Sequence, residues 1–102
     1  MTNQAVVDVH IHPIGHGEIS VSRFVAESVA ALKTNYPQLQ FQVNPMSTTI
    51  VGELDIILHA VQSMHEAQFS AGAIRVSTSI RIDDRRDGKQ IDLSERVSKA
   101  NA

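Results

Sequence analysis

The stretch Arg75-Val-Ser-Thr-Ser-Ile-Arg-Ile-Asp83-Asp84-Arg85-Arg86-Asp87-Gly88 decides the fold. Its first half alternates. Val76, Thr78, Ile80 and Ile82 point to one side, and Arg75, Ser77, Ser79 and Arg81 to the other. A period of two marks a strand with one face buried and one face polar. Five consecutive charges of mixed sign, Asp83 to Asp87, then precede Gly88. A turn requires only the glycine. Mixed signs in so short a run point to ion pairing, across the strand end or where subunits meet. A solvated, charged turn is the plain alternative.

The segment before this strand, from about Glu53 to Ala71, has helical spacing. Leu54, Ile57, Leu58, Val61, Met64, His65 and Phe69 lie on or beside one side, and Gly72 is a suitable stop. Nearer the start, Ala5 to Pro13 alternates as a strand, with Val7, Val9 and Ile11 on one face and Val6, Asp8, His10 and His12 on the other. Pro13, Gly15 and Gly17 end it. Ser20 or Ser22 offers a hydroxyl cap to a helix whose stripe is Val21, Phe24, Val25, Ser28, Val29 and Leu32. Tyr36-Pro37 stops that helix. Leu39 to Asn44 is a second strand, Pro45-Met46-Ser47 turns the chain, and Thr48 to Val51 is a third strand of β-branched residues, broken at Gly52. Ile91 to Ala100 forms a short terminal helix with Asp92 or Ser94 near its start.

Strand, helix, strand, strand, helix, strand is the order of a split βαβ unit. The expected fold class is therefore α+β: a ferredoxin-like βαββαβ sandwich. A four-stranded antiparallel sheet carries two helices on one face, and a short C-terminal helix follows. The other face would carry Asp8, His10, His12, Gln42, Asn44, Arg75, Ser77, Ser79 and Arg81. Such a polar face is left to water or meets a second copy.

Composition narrows the function. The 102 residues suit one domain, 1–102, with an aliphatic core, since aromatics are 4% and Trp is absent. A net charge of -2 gives no basic field for a nucleic acid. The absence of cysteine excludes disulfides, thiolate zinc sites and cysteine nucleophiles. Met1-Thr-Asn-Gln is not the start of a signal peptide, and no apolar run approaches the roughly 18 residues of a membrane span. A cytoplasmic protein without a membrane partner is expected.

The histidines invite a metal reading. Asp8-Val-His10-Ile-His12 looks like the metal-binding start of an amidohydrolase, with two histidines on one strand face and His16 close by. Such a barrel needs roughly 250 residues, and no downstream ligand set completes the shell. His65-Glu66 lacks the second histidine of a zinc helix, because Phe69 stands in its place. No Gly-x-Ser-x-Gly elbow or phosphate-cradling loop occurs, and nothing in the spacing of Ser22, Asp55 and His65 demands a triad. No catalytic residue, metal ligand or cofactor is assigned.

Several segments together resemble one family: Phe24-Val-Ala-Glu-Ser-Val-Ala-Ala-Leu32, Pro45-Met-Ser-Thr-Thr-Ile50-Val-Gly-Glu53, His65-Glu-Ala67, Gly72-Ala-Ile-Arg75-Val and Ile80-Arg-Ile-Asp-Asp-Arg-Arg-Asp87. It is the small, YkoF-related thiamine-binding protein family, long filed as uncharacterised. The similarity runs from Val7 to about Val97. It implies a ferredoxin-like fold, assembly through the sheets as dimers or dimer-of-dimers tetramers, and binding of thiamine or a hydroxymethylpyrimidine relative without catalysis.

Thiamine presents a permanent cation and an aminopyrimidine edge. The cation seeks a carboxylate or aromatic face, and the pyrimidine seeks an acceptor and a donor. Ser20 and Ser22 at the first helix, and Asn44, Met46, Thr48 and Thr49 at the hairpin, are the expected ligand-binding residues. Glu53 is the expected acceptor or counter-charge, and His65 closes the far side. The plain alternatives are that the serines and Glu53 cap helices and the threonines pair strands. Arg81, Asp83, Asp84, Arg85, Arg86 and Asp87 fall to an oligomer interface. Two other classes stay open: a structural or regulatory homo-oligomer acting through protein contacts, and a small metal-dependent enzyme built on His10 and His12.

Overall fold

The structure, a computed structural model, describes residues 3–15 and 21–100. Seven elements follow in order: β1 (Gln4–Pro13), α1 (Ser22–Asn35), β2 (Gln40–Val43), β3 (Thr48–Gly52), α2 (Leu54–Ser70), β4 (Val76–Arg85) and α3 (Leu93–Ala100). The four strands form one antiparallel sheet in the order β2-β3-β1-β4. This is the ferredoxin-like arrangement that the alternation and element order anticipate.

The central strand, β1, organises the core. Ala5, Val7, Val9 and Ile11 alternate onto its inner face and are buried. Leu32 of α1 and Ile57, Ala60, Val61 and Met64 of α2 close over them, with Ile50 of β3. Each Val, Leu, Ile or Met among them contributes about 1.5 to 3 kcal/mol when fully buried. The end of α2 is set by Gly72 at φ 111°. The amides of Gly72 and Ala73 reach back to the carbonyls of Phe69 and Gln68 at 3.0 Å each, which closes the orphan carbonyls of the last turn.

Three details depart from the sequence reading. The N-cap of α1 is Val21 and makes no side-chain cap bond; Ser22 is already helical, and Ser20 lies outside the described residues. On α2, Gln68 is fully buried while Leu58 and Phe69 are exposed, so the stripe rotates away from Phe69 at its end. On β4, Ile80 and Ile82 point to the helix side as expected, yet they are 43% and 46% exposed because β4 is an edge strand that α2 overhangs only in part.

The outer face is not wholly polar. Val6 and Val51 meet in register there, and Ile91, Leu93 and Val97 from α3 and its approach cover them. Two glutamines clasp this segment. Gln4 Oε1 accepts the Ile91 amide at 2.6 Å, while Gln40 Nε2 donates to the Ile91 carbonyl at 3.0 Å. Gln40 Oε1 also accepts the Leu93 amide at 2.7 Å. Asp92 then caps α3 by accepting from the Ser94 amide at 2.9 Å.

Because Gln40 supplies two of the three clasp bonds, Gln40→Ala is expected to cost about 1 to 3 kcal/mol in urea unfolding. Hydrogen exchange at Leu93 should quicken while Val7 and Val9 stay protected. Unchanged exchange at Leu93 would show that α3 is held by its apolar contacts alone.

Candidate functional site

A mismatch of strand lengths opens a cleft beside β1. β1 pairs with β4 over all ten residues from Gln4 to Pro13, but with β3 only from Ala5 to Val9. Past Val9, one side of β1 has no strand beside it. The β2–β3 hairpin turns away there, closed by the Asn44 amide donating to the Ser47 carbonyl at 2.8 Å. The start of α1 stands opposite. Between them lies a cleft of roughly 110 Å³. Its walls include Ile11, Val25, Val29 and Met64, and its polar groups include His10, Ser28, Asn44, Ser47 and Thr48.

The floor is a buried polar relay. Ser28 Oγ donates to the Met64 carbonyl at 2.8 Å and accepts from Gln68 Nε2 at 3.1 Å. The same amide donates to the Ile11 carbonyl at 3.0 Å. Both Gln68 amide hydrogens are thereby used, which fixes its orientation. Gln68 Oε1 is buried and has no partner among the described residues.

The mouth is held by a second chain of donors. Gln42 Nε2 donates to Asn44 Oδ1 at 3.1 Å, Asn44 Nδ2 to Thr49 Oγ1 at 2.9 Å, and Thr49 Oγ1 to Asp8 Oδ1 at 3.2 Å. Hydrogen-bond direction runs toward the carboxylate, which orders the hairpin against β1.

Of the residues proposed from sequence, Asn44, Met46 and Thr48 come together in this cleft. Thr49 faces the other side of the sheet, as its register with Asp8 requires. Ser22 is not in the cleft lining; it borders an open surface between α1 and Val43 of β2 that shares Val25 and Val29 with the cleft. Glu53 is at the far end of β3, in an open cleft with Leu58, Asp84 and Arg86. It is the N-cap of α2 but makes no side-chain cap bond. His65 binds Thr78 Oγ1 through Nδ1 at 2.6 Å and meets the Phe69 ring edge-on at 5.3 Å. It clamps α2 to β4 rather than closing the cleft. Ser22, Asp55 and His65, from which a triad could be written, are on three different parts of the surface.

The sequence reading counts Ser28 within the apolar stripe of α1 and leaves Gln68 out of the stripe of α2. A lone hydroxyl within an otherwise aliphatic stripe was the available signal at Ser28. Gln68 continues the three-and-four spacing of Ile57, Val61 and Met64, but an amide at that position reads as a surface group.

The charged run pairs within the chain. Arg85 Nε reaches both carboxylate oxygens of Asp87 at 2.8 Å, and Arg86 Nη2 reaches Asp84 Oδ2 at 2.8 Å. Arg96 of α3 lies 3.6 Å from Asp83. The hydrogen bond from Arg85, then that from the Lys89 amide, lowers the Asp87 carboxyl from 3.8 to about 2. The same contact raises Arg85. Alternation along the strand places these pairs on opposite sides, so the run forms two i,i+2 pairs instead of one cluster.

Comparison with known proteins agrees with this architecture. Residues 7–101 match the family described as thiamine-binding protein. A UPF0045 protein of Staphylococcus xylosus is 43% identical over 91% of this chain and 88% of its own. The UPF0045 protein YqgV of Bacillus subtilis is 41% identical over 95% of this chain and 94% of its own. Among solved structures, a hypothetical protein of Methanocaldococcus jannaschii superposes with a TM-score of 0.82 at 31% identity, covering 98% of each chain. Among the described residues, no helix is long and apolar enough to cross a membrane.

The Asp87 carboxyl is depressed in the folded chain, so its pairing with Arg85 favours the folded state above pH 3.8, the ordinary value. That contribution fades as pH falls from there through about 2. A carboxyl-carbon NMR titration should find an Asp87 midpoint near about 2 in the native protein and within the ordinary carboxylate range in Arg85→Ala. An ordinary midpoint in the native protein would contradict the pair.

Proposed function

The chain belongs to the thiamine-binding protein family, and from that premise we propose that the α1–hairpin cleft holds thiamine or a hydroxymethylpyrimidine relative without turning it over. The role is sequestration, delivery or sensing. One observation carries the reading: a narrow apolar slot whose polar groups gather on one strip from the hairpin to the floor. Ligand sites have this composition, with apolar walls for affinity and a few placed polar groups for orientation.

Size divides the ligand. A cavity of about 150 Å³ accommodates benzene, so a cleft of roughly 110 Å³ that opens to solvent takes a single ring. The aminopyrimidine enters between Val25, Val29 and Met64, where a thioether meets an aromatic face favourably. Asn44 Oδ1 accepts one bond from Gln42 and keeps a second lone pair for the exocyclic amine. The hydroxyls of Ser47 and Thr48 serve the ring nitrogens. The thiazolium stays outside, toward the polar sheet face that carries Asp8. The Asp8 carboxylate, held by Thr49, is the counter-charge in this reading, in place of the distant Glu53.

The coarser support is the family itself and a fold neighbour from Thermotoga maritima, described as a candidate thiamine biosynthesis or salvage protein. That neighbour superposes with a TM-score of 0.74 at 21% identity, which speaks to fold alone.

A second reading is carried by β4. It is a ten-residue edge strand with β1 on one side only, and Ile80 and Ile82 are exposed, as is Leu58 of α2. Long apolar edges are templates for further strand pairing. We propose a second copy as the partner, with Arg81 and the run Asp83, Asp84, Arg85, Arg86 and Asp87 along the seam. The two readings are compatible, and pairing of such dimers through their polar faces gives the tetramer.

Calorimetric titration tests the ligand. Thiamine and the free hydroxymethylpyrimidine are expected to bind the native protein. Val29→Trp, which fills the slot, should abolish binding, and Asn44→Ala should weaken it by about 2- to 10-fold, the worth of one neutral hydrogen bond. Glu53→Gln should change nothing. Equal affinity in all four proteins would misplace the site. Sedimentation at micromolar concentration tests the seam: a dimer or tetramer is expected, reduced to monomer by Ile80→Lys with Ile82→Lys. A native monomer would contradict it.

A further inference from the structure

The outer face of β1 carries a feature that the ligand reading leaves unused. His10 and His12 lie two residues apart on one face, with ring centroids 4.8 Å apart and planes 25° from parallel. Their in-register neighbours on β4 are Ser79 and Ser77, both small. On the β3 side the pairing ends at Val9, so no strand residue crowds them there. His10 is exposed, so the approach from solvent is open. No hydrogen bond to another described residue fixes either ring, and His12 Nδ1 is buried without a partner.

We propose that His10 and His12 chelate one borderline divalent transition-metal ion, of the zinc, nickel or copper(II) class. The spacing is that of two ligands sharing a strand face, and the rings, stacked in the free protein, turn about their side-chain torsions to bring one nitrogen of each to the ion. Neutral imidazole is a preferred ligand for these ions, whereas magnesium and calcium favour oxygen. Among the described residues no third His, Cys, Asp or Glu joins the pair. The ion would therefore keep open positions for water or an outside ligand. Asp8, two residues earlier on the same face, adds a negative charge, and Arg81, in register with Asp8, opposes it. Ligation also gives a nitrogen of the unpinned His12 the partner that the protein does not supply. The inference does not depend on the vitamin reading, although His10 borders both sites.

Tag-free protein titrated with zinc and with copper(II), followed by calorimetry and by the copper absorption and paramagnetic-resonance spectra, decides it. One equivalent per chain is expected, with spectra showing nitrogen ligands. His10→Gln and His12→Gln should each weaken binding by roughly tenfold or more, since even outer-shell changes cost 10- to 100-fold. The double variant should lose the site, and circular dichroism should show that each variant stays folded. His59→Gln, at a histidine whose Nδ1 contacts the Asp55 carbonyl at 2.7 Å, should leave binding unchanged. Absence of binding in the native protein, equal binding in the double variant, or loss with His59→Gln would each overturn the proposal.

Discussion

The pairing of β1 with strands on both sides is the constraint from which the rest follows. One strand supplies Ala5, Val7, Val9 and Ile11 to the core and Val6, Asp8, His10 and His12 to the opposite face. A slip of one residue would exchange these sets, exposing the aliphatic row and burying a carboxylate and two imidazoles without partners. Burial of the inner row therefore fixes the register. The register in turn sets Val9 against Thr48 as the last pair with β3. Beyond that pair the sheet is incomplete, and the cleft is the space left by the missing strand. Gln68 compensates in part by donating to the Ile11 carbonyl.

The outer face divides along the same strand. Toward the start of β1, Val6 and Val51 lie under α3, clasped by Gln4 and Gln40. Toward its end, Asp8, His10 and His12 stay polar and open to the hairpin network of Gln42, Asn44 and Thr49. One face thus carries a structural cap at one end and an open polar network at the other. The edge strand β4 spans both ends, and its charges pair locally at Asp84–Arg86 and Arg85–Asp87. Exposed pairs of this kind are screened by water and serve better to orient the strand end than to hold it.

Much of the fold was legible in residue order because strand alternation and helical stripes are local signals. Val76 to Ile82 and Val7 to Ile11 show a period of two that burial reproduces on β1 and that exposure blurs on the edge. The site was less legible because it depends on register and on which end of each strand a residue occupies. Thr49 and Glu53 are four residues apart in sequence, yet a strand rises about 3.3 Å per residue and alternates faces. Glu53 therefore ends up remote from the hairpin turn, and Thr49 faces away from the cleft. The exchange of Phe69 for Gln68 in the core has a similar origin: one step on a helix is about 100°, and an apolar ring beside an amide gives no local reason to choose the amide. The Ile11 carbonyl and the Ser28 hydroxyl, 57 and 40 residues away, make the choice. The side of the sheet taken by α3 is likewise set by Val6 and Val51 and not by its own sequence.

Backbone chemical-shift mapping with the free hydroxymethylpyrimidine tests the central claim directly, because it locates the ligand without altering the protein. Perturbations are expected at Ile11, Ser28, Val29, Asn44 and Thr48, with Glu53, Leu58 and Arg86 unmoved. Perturbations centred on Glu53 and Arg86, or none at saturating ligand, would contradict that claim.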